Sequence, residues 1–189
     1  MIRSIYICLA GLISAGAVQA QEDLAQKYGA LSGQCYEEAD GEEAKLQCIG
    51  ASATLCMEEE EGGYSTLGMS QCTHSETIVW DQILNAEYKL TMSFAKEMDT
   101  EDKHLFPEFA QREDHLRKAQ RAWIAFRDAE CGLSYAWWGA GSARHIAGSN
   151  CMMELTARRT IELGVLRAEG EKTVQIHHPS LPRHRFYAL

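Results

Sequence analysis

Six cysteines, Cys35, Cys48, Cys56, Cys72, Cys131 and Cys151, stand behind an export leader, and no other feature narrows the possible folds as much. The leader is residues 1–20. Arg3 opens it, an apolar run extends to Ala17, and Val18-Gln19-Ala20 fits the small-x-small cleavage rule, so the mature chain is expected to begin at Gln21. That run is too short to span a bilayer, and no later stretch is apolar for the ~18 residues a span requires. Cys8 lies early in the run, where it makes a poor lipid-attachment residue. An even number of cysteines in an exported chain calls for disulfides, in the periplasm or outside the cell. Zinc competes for such residues, but no CxxC pair occurs and the spacings are long.

Only three prolines occur, two of them (Pro179, Pro182) close to the end, and such scarcity permits long helices. Thr73-His-Ser-Glu76 reads as a capping box. Trp80, Leu84, Tyr88, Thr91, Ala95 and Met98 then recur at spacings of three and four, which predicts a helix with one buried face, fading near Asp99-Thr100. A second helix is expected from Pro107 to about Tyr135, with Leu116, Ala119, Gln120, Trp123, Arg127, Glu130 and Cys131 on one side. A third is expected from Ser149 to Ala168, with Leu155, Arg159, Leu163 and Leu166 inward. Earlier in the chain, Glu42 to Glu58 reads as one helix and Leu24 to Leu31 as a shorter one. Residues 171–189 read as an extended tail.

The helices constrain the disulfides. Cys48 and Cys56 lie eight apart on one expected helix, about 12 Å by the helical rise and beyond bridging distance. Pairing in chain order gives Cys35–Cys48, Cys56–Cys72 and Cys131–Cys151. Each pair brackets a turn signal (Asp40-Gly41, Gly62-Gly63 and Gly141), as two antiparallel segments joined by a turn require. A Cys72–Cys131 bridge is the competing arrangement.

Charge is concentrated. Residues 37–61 carry nine carboxylates against Lys45 alone, while residues 62–189 are nearly balanced. An acidic block of this kind argues against nucleic acid and anionic lipid as partners and permits a cationic one. A solvated face that only maintains solubility has the same composition.

The string Leu84-Asn85-x-x-Tyr88, then Leu116-x-x-Ala119-Gln120-Arg121-Ala122-Trp123-x-x-Phe126-Arg127-Asp128-x-x-Cys131, then Gly141-Ser142, Cys151 and Thr156-x-x-Arg159-x-x-x-Leu163, resembles the signature of the LprI-type lysozyme-inhibitor domain over roughly residues 56–167. The resemblance implies a small, helical, disulfide-bonded domain of the bacterial envelope that binds lysozyme. Two departures stand out: no lipid-attachment cysteine, and an acidic extension bearing Cys35 and Cys48. The organisation expected is a leader (1–20), an acidic helical extension (21–55), the helical domain (56–168) and a flexible tail (169–189). The fold class is all-α, a disulfide-stabilised bundle of three main helices with an N-terminal helical extension.

Within the signature, Asn85, Gln120 and Arg127 sit at helix positions that face the core, so an interhelical hydrogen-bond network is expected, with Arg127 meeting Glu130 or Glu87. Tyr88 and Trp123 pack on the same faces, and Asp128, Thr156 and Arg159 complete the motif. Partner binding is expected elsewhere. Tyr135, Trp137, Trp138, Ser142 and Arg144 lie in a loop closed by Cys131 and Cys151; Trp, Tyr and Arg dominate binding hot spots, and a closed loop loses little entropy on binding. Closing the end of the helical core is the other use for the two tryptophans. Glu58, Glu59, Glu60 and Glu61 would steer a basic partner. No GxSxG, HExxH, P-loop or GxGxxG motif occurs, every mature cysteine has a partner, and no carboxylate pair is set apart. The reading is therefore a binding protein without cofactor or metal, directed at a basic lysozyme or related lytic enzyme. A structural or stress-response envelope protein that binds no lysozyme is the alternative. His177, His178 and His184 could ligate a metal, but a histidine-bearing tail rarely does so specifically.

Overall fold

The computed structural model describes residues 21–177, and every regular element among them is helical. Residues 21–28 are helical and lead through Gly29 into α1 (Ala30–Glu38). Then follow α2 (Glu42–Leu46), α3 (Ala51–Glu59), α4 (Thr66–Leu105), a 3-10 turn at Pro107–Phe109, α5 (Arg112–Ala136) and α6 (Ala143–His177). The disulfides are Cys35–Cys48, Cys56–Cys72 and Cys131–Cys151, with Cα–Cα distances of 5.6, 5.6 and 5.3 Å. Pairing is thus in chain order, each bridge closing a helix–turn–helix unit.

Three long helices form the bundle. α4 and α6 run side by side in the same direction: Ser70 meets His145, Trp80 meets Thr160 and Glu87 meets Arg167. α5 returns antiparallel to both, with Arg112 at Asp99, Gln120 at Arg159 and Cys131 at Cys151. The α4–α6 seam carries small polar residues, and the buried hydroxyls of Thr77, Thr91 and Thr160 each donate to the carbonyl four residues back. Among the described residues, the Oγ1 of Thr156 alone is buried without a partner.

Several boundaries differ from the sequence expectation, each for a visible reason. α4 starts at Thr66 because Ser65 caps it, accepting from the Gly68 N–H at 3.0 Å. Thr73 is therefore interior, its hydroxyl donating to the Met69 carbonyl, and Glu76 caps a different helix. The stretch from Glu42 to Glu58 is two helices, broken at Gly50, whose φ of +91° only glycine adopts comfortably. α4 continues past Thr100 to Leu105, and the Pro107 segment is a separate 3-10 turn. α6 begins six positions before Ser149 and continues through His177, into the stretch read as an extended tail. Residues 1–20 and 178–189, including the leader, His178 and His184, lie outside the described residues.

The acidic extension shares its core with the bundle. Tyr36 and Cys48 pack with Trp80, Ala157 and Ile161, and the Tyr36 and Trp80 rings meet edge to face at 5.8 Å. The Tyr36 hydroxyl donates to Glu87 at 3.0 Å, passing over Gly164, where a Cβ would lie 2.6 Å from it. Arg167 completes this cluster, donating to Glu87 at 3.1 Å and Glu171 at 3.0 Å. A second cluster joins Leu84, Ala95, Leu116 and Leu163, with Tyr88 and Trp123 at its edge.

α4 also supplies caps to its neighbours. Glu76 is fully buried and accepts from the backbone N–H of Gly50 (2.8 Å) and Ala53 (2.6 Å), at the start of α3, and from Trp80 Nε1 (2.7 Å). Asp99 does the same for α5, which has no cap of its own: its carboxylate accepts from Arg112 N (3.0 Å) and Glu113 N (2.9 Å). In both cases a carboxylate meets the positive end of a helix across a tertiary contact.

Candidate functional site

Two residues of the signature string, Gln120 and Trp123, meet Arg159 across the α5–α6 seam. Trp123 lies half-buried beneath two guanidiniums, Arg127 at 5.1 Å and Arg159 at 6.0 Å from its ring centre. Gln120 accepts from Arg159 Nε at 3.0 Å, an α5–α6 hydrogen bond of the expected kind. The rest of the expected network is different. Asn85 is exposed and donates to Asp81 one turn back, at its carbonyl and its carboxylate. Arg127 pairs with exposed Asp128 at 2.9 Å, not with Glu130 or Glu87; the ion partner of Glu87 is Arg167. Ala119 and Glu130 on α5 and Leu166 on α6 are exposed, although their spacing predicts an inward position.

The turn between α5 and α6 is tight and braced. Cys131–Cys151 closes its base, Ser134 Oγ donates to the Ala147 carbonyl at 3.2 Å, and Gly139 sits at φ +52°. Trp137 is 82% exposed and Trp138 54%, so neither closes the core. Tyr135 packs at the base of the turn, edge-on to His145 at 5.4 Å. Arg144 is half-buried rather than free. Its guanidinium lies 5.4 Å from the Tyr135 ring centre and donates to the Gly139 carbonyl at 3.2 Å. It makes no ion pair with a carboxylate among the described residues. Ser142 is exposed at the end of the turn.

Glu58 to Glu61 lie at the same end of the molecule. The run closes α3, α4 begins at Thr66, and Ser70 Oγ donates to the His145 carbonyl at 3.3 Å, just beyond the Trp137–Trp138 turn. Glu58, Glu59 and Glu61 are exposed, with no ion pair among the described residues. Glu60 turns inward instead. Lys27 (2.7 Å) and the Tyr28 hydroxyl (2.7 Å) both donate to it, holding its carboxyl below the usual range.

Sequence reasoning missed the apolar surface beside these residues. Tyr64, in the turn after the acidic run, and Leu67, in the first turn of α4, are 63% and 67% exposed. Phe126 and Leu133 line the outer side of α5 at positions seven and four before Leu133 and Trp137 respectively, so the apolar stripe leads into the turn. The signal was a second three-and-four spacing on α5, Ala119, Ala122, Phe126, Ala129 and Leu133, displaced from the one that meets the core.

The model of the LprI lysozyme-inhibitor family matches residues 56–163. The chain belongs to this family. An uncharacterized protein of Rhizobium meliloti (strain 1021) is 33% identical over 128 residues, which cover 67% of this chain and 92% of that protein. No solved structure matches the chain. The family is one of inhibitors, so a protein partner is the shared expectation for LprI members. In this LprI chain the match begins at Cys56; α1, α2 and the Cys35–Cys48 bridge lie before it. The three disulfides fit an extracytoplasmic protein. Among the described residues, no helix is long and apolar enough to cross a membrane, and no group of three or more His, Cys, Asp or Glu is placed to hold a metal ion.

Proposed function

We propose that this chain is exported, binds a basic lysozyme or a related cell-wall lytic enzyme in the periplasm or outside the cell, and inhibits it without performing chemistry. The observation that carries this reading is the meeting of two features at one end of the bundle. Glu58, Glu59 and Glu61, exposed and without an ion pair among the described residues, lie at the same end as a disulfide-braced turn bearing Trp137 and Trp138. Charge that is not spent on internal pairs is free to steer a partner of opposite sign. Exposed aromatic rings on a rigid turn bind with little loss of conformational freedom. Tyr64 and Leu67, exposed just after the acidic run, add apolar area at this end. Family membership supplies the partner class.

The test is binding kinetics of mature protein on a hen-type lysozyme. Glu58→Gln/Glu59→Gln/Glu61→Gln should slow association and flatten its salt dependence while leaving dissociation almost unchanged. Trp137→Ala should speed dissociation. Equal association rates at low salt for the parent and the triple variant would remove the acidic run from the site.

A further inference from the structure

We infer that the Trp137–Ser142 turn enters the glycan-binding cleft of the lysozyme and closes it to substrate; this rests on the reading that the partner is a lysozyme, and adds where on that enzyme the turn sits. Shape is the first argument. The turn caps an antiparallel helix pair, so it projects from the end of the bundle, and Trp137 is its most exposed large side chain. Projecting loops fit concave sites, and the concave site of a polysaccharide hydrolase is its substrate cleft. The flanking apolar surface on α5, Phe126 and Leu133, lies along a helix side and has no such projection.

Rigidity is the second argument. The turn is tied by Cys131–Cys151, by Ser134 to Ala147 and by Arg144 to the Gly139 carbonyl. Its backbone closes on itself, with Gly139 N donating to the Ala136 carbonyl at 3.0 Å and Gly141 N to the Trp138 carbonyl at 2.9 Å. A plug that is already ordered competes with substrate at low entropic cost.

Charge is the third. A basic lysozyme carries positive charge on its surface but a pair of carboxyl groups inside its cleft, where glycoside hydrolysis requires them. An inhibitor that presented only acids would be repelled there. This end of the molecule has the inverse pattern. Glu58, Glu59 and Glu61 stand to one side, while the turn itself holds no acid and is followed by Arg144, which has no carboxylate partner among the described residues. The acids face the basic rim of the cleft, the indole rings occupy sugar positions, and the acid-free turn, braced by Arg144, brings no further negative charge to the carboxyl pair.

Competition tests this directly. Full mature protein with its disulfides intact is titrated against hen-type lysozyme with and without the N-acetylglucosamine trisaccharide, which occupies the cleft. At trisaccharide ten times its own Kd, the apparent Kd for the protein should rise by about tenfold, as mass action requires for exclusive binding. Inhibition of a soluble substrate should raise KM and leave kcat unchanged. Trp137→Ala should weaken binding at least tenfold, and Phe109→Ala, in the exposed 3-10 turn at the opposite end of the bundle, should leave it unchanged. Undiminished affinity at saturating trisaccharide would overturn the cleft assignment while leaving the lysozyme reading intact. Absence of binding without trisaccharide would overturn both.

Discussion

Replacing Glu76 should be among the most damaging single changes in the chain, because one fully buried carboxylate satisfies three donors from two helices. Glu76→Ala leaves the N–H groups of Gly50 and Ala53 and the Trp80 indole N–H without acceptors. Gly50 is partly accessible and can turn to water, whereas Ala53 and Trp80 are sealed in the core. A buried donor stripped of its acceptor costs about 1–3 kcal/mol, so the two sealed groups alone imply about 2–6 kcal/mol. The cavity left by the side chain adds to this. Since whole domains are stable by only about 5–15 kcal/mol, the variant should lie close to unfolding once the bridges no longer hold the extension. Glu76→Gln is the sharper probe. It preserves shape but turns one acceptor oxygen into an NH₂ group facing donors, so it should still cost about 2 kcal/mol or more. Urea unfolding with the disulfides intact measures both. A loss below about 1 kcal/mol for Glu76→Gln would show that the carboxylate does not hold α3 to α4 in this way.

Two further outcomes follow from the structure. Asp99→Ala should cost about 2 kcal/mol at neutral pH, since it uncaps α5 and leaves Arg112 with Asp102 as its remaining carboxylate partner. Burial pushes the Asp99 carboxyl up, but the N–H groups of Glu113 and Arg112 and the Arg112 guanidinium outweigh it and hold it below its ordinary 3.8. The unfolded chain therefore binds that proton more readily; the stabilisation is complete above the ordinary value and is lost as pH falls through the lowered one, so parent and variant should converge in acid unfolding. The Cys131→Ser/Cys151→Ser double variant should lose about 3 kcal/mol in the chain-entropy account, with the turn loosened and its partner released faster, both measurable by denaturation and dissociation kinetics.

How much of this was legible in the sequence depends on the range of the interaction. The disulfide pairing was readable because each bridge closes a local unit around its own turn, at Asp40-Gly41, Gly62-Gly63 and Gly141. The inner face of α4 was readable because Trp80, Leu84, Tyr88, Thr91 and Ala95 repeat at helical spacing. Glu76 was misassigned because a Glu three residues after a Thr is a local capping pattern, and nothing nearby in sequence announces that its donors are Gly50 and Ala53. Asn85 was misassigned for the opposite reason: its partner, Asp81, is one turn away, and the expectation placed it across the bundle; Arg127, expected at Glu130 or Glu87, pairs with the adjacent Asp128. The pairing of Glu87 with Tyr36 and Arg167 joins residues far apart in the chain, beyond the reach of any periodicity. The candidate site was half visible. The tryptophans and the acidic run could be named, but their placement at one end depends on α4 and α6 being parallel, which only the fold reveals.

The central claim, that this chain inhibits lysozyme by binding, is tested most directly by titrating purified mature protein into a hen-type lysozyme acting on cell-wall substrate. Activity should fall with added protein to a saturating, stoichiometric end point, at lower protein concentrations when salt is low. Undiminished lysozyme activity at micromolar protein and low salt would contradict it, and Glu58 to Glu61 would then be a solvated face with no partner to steer.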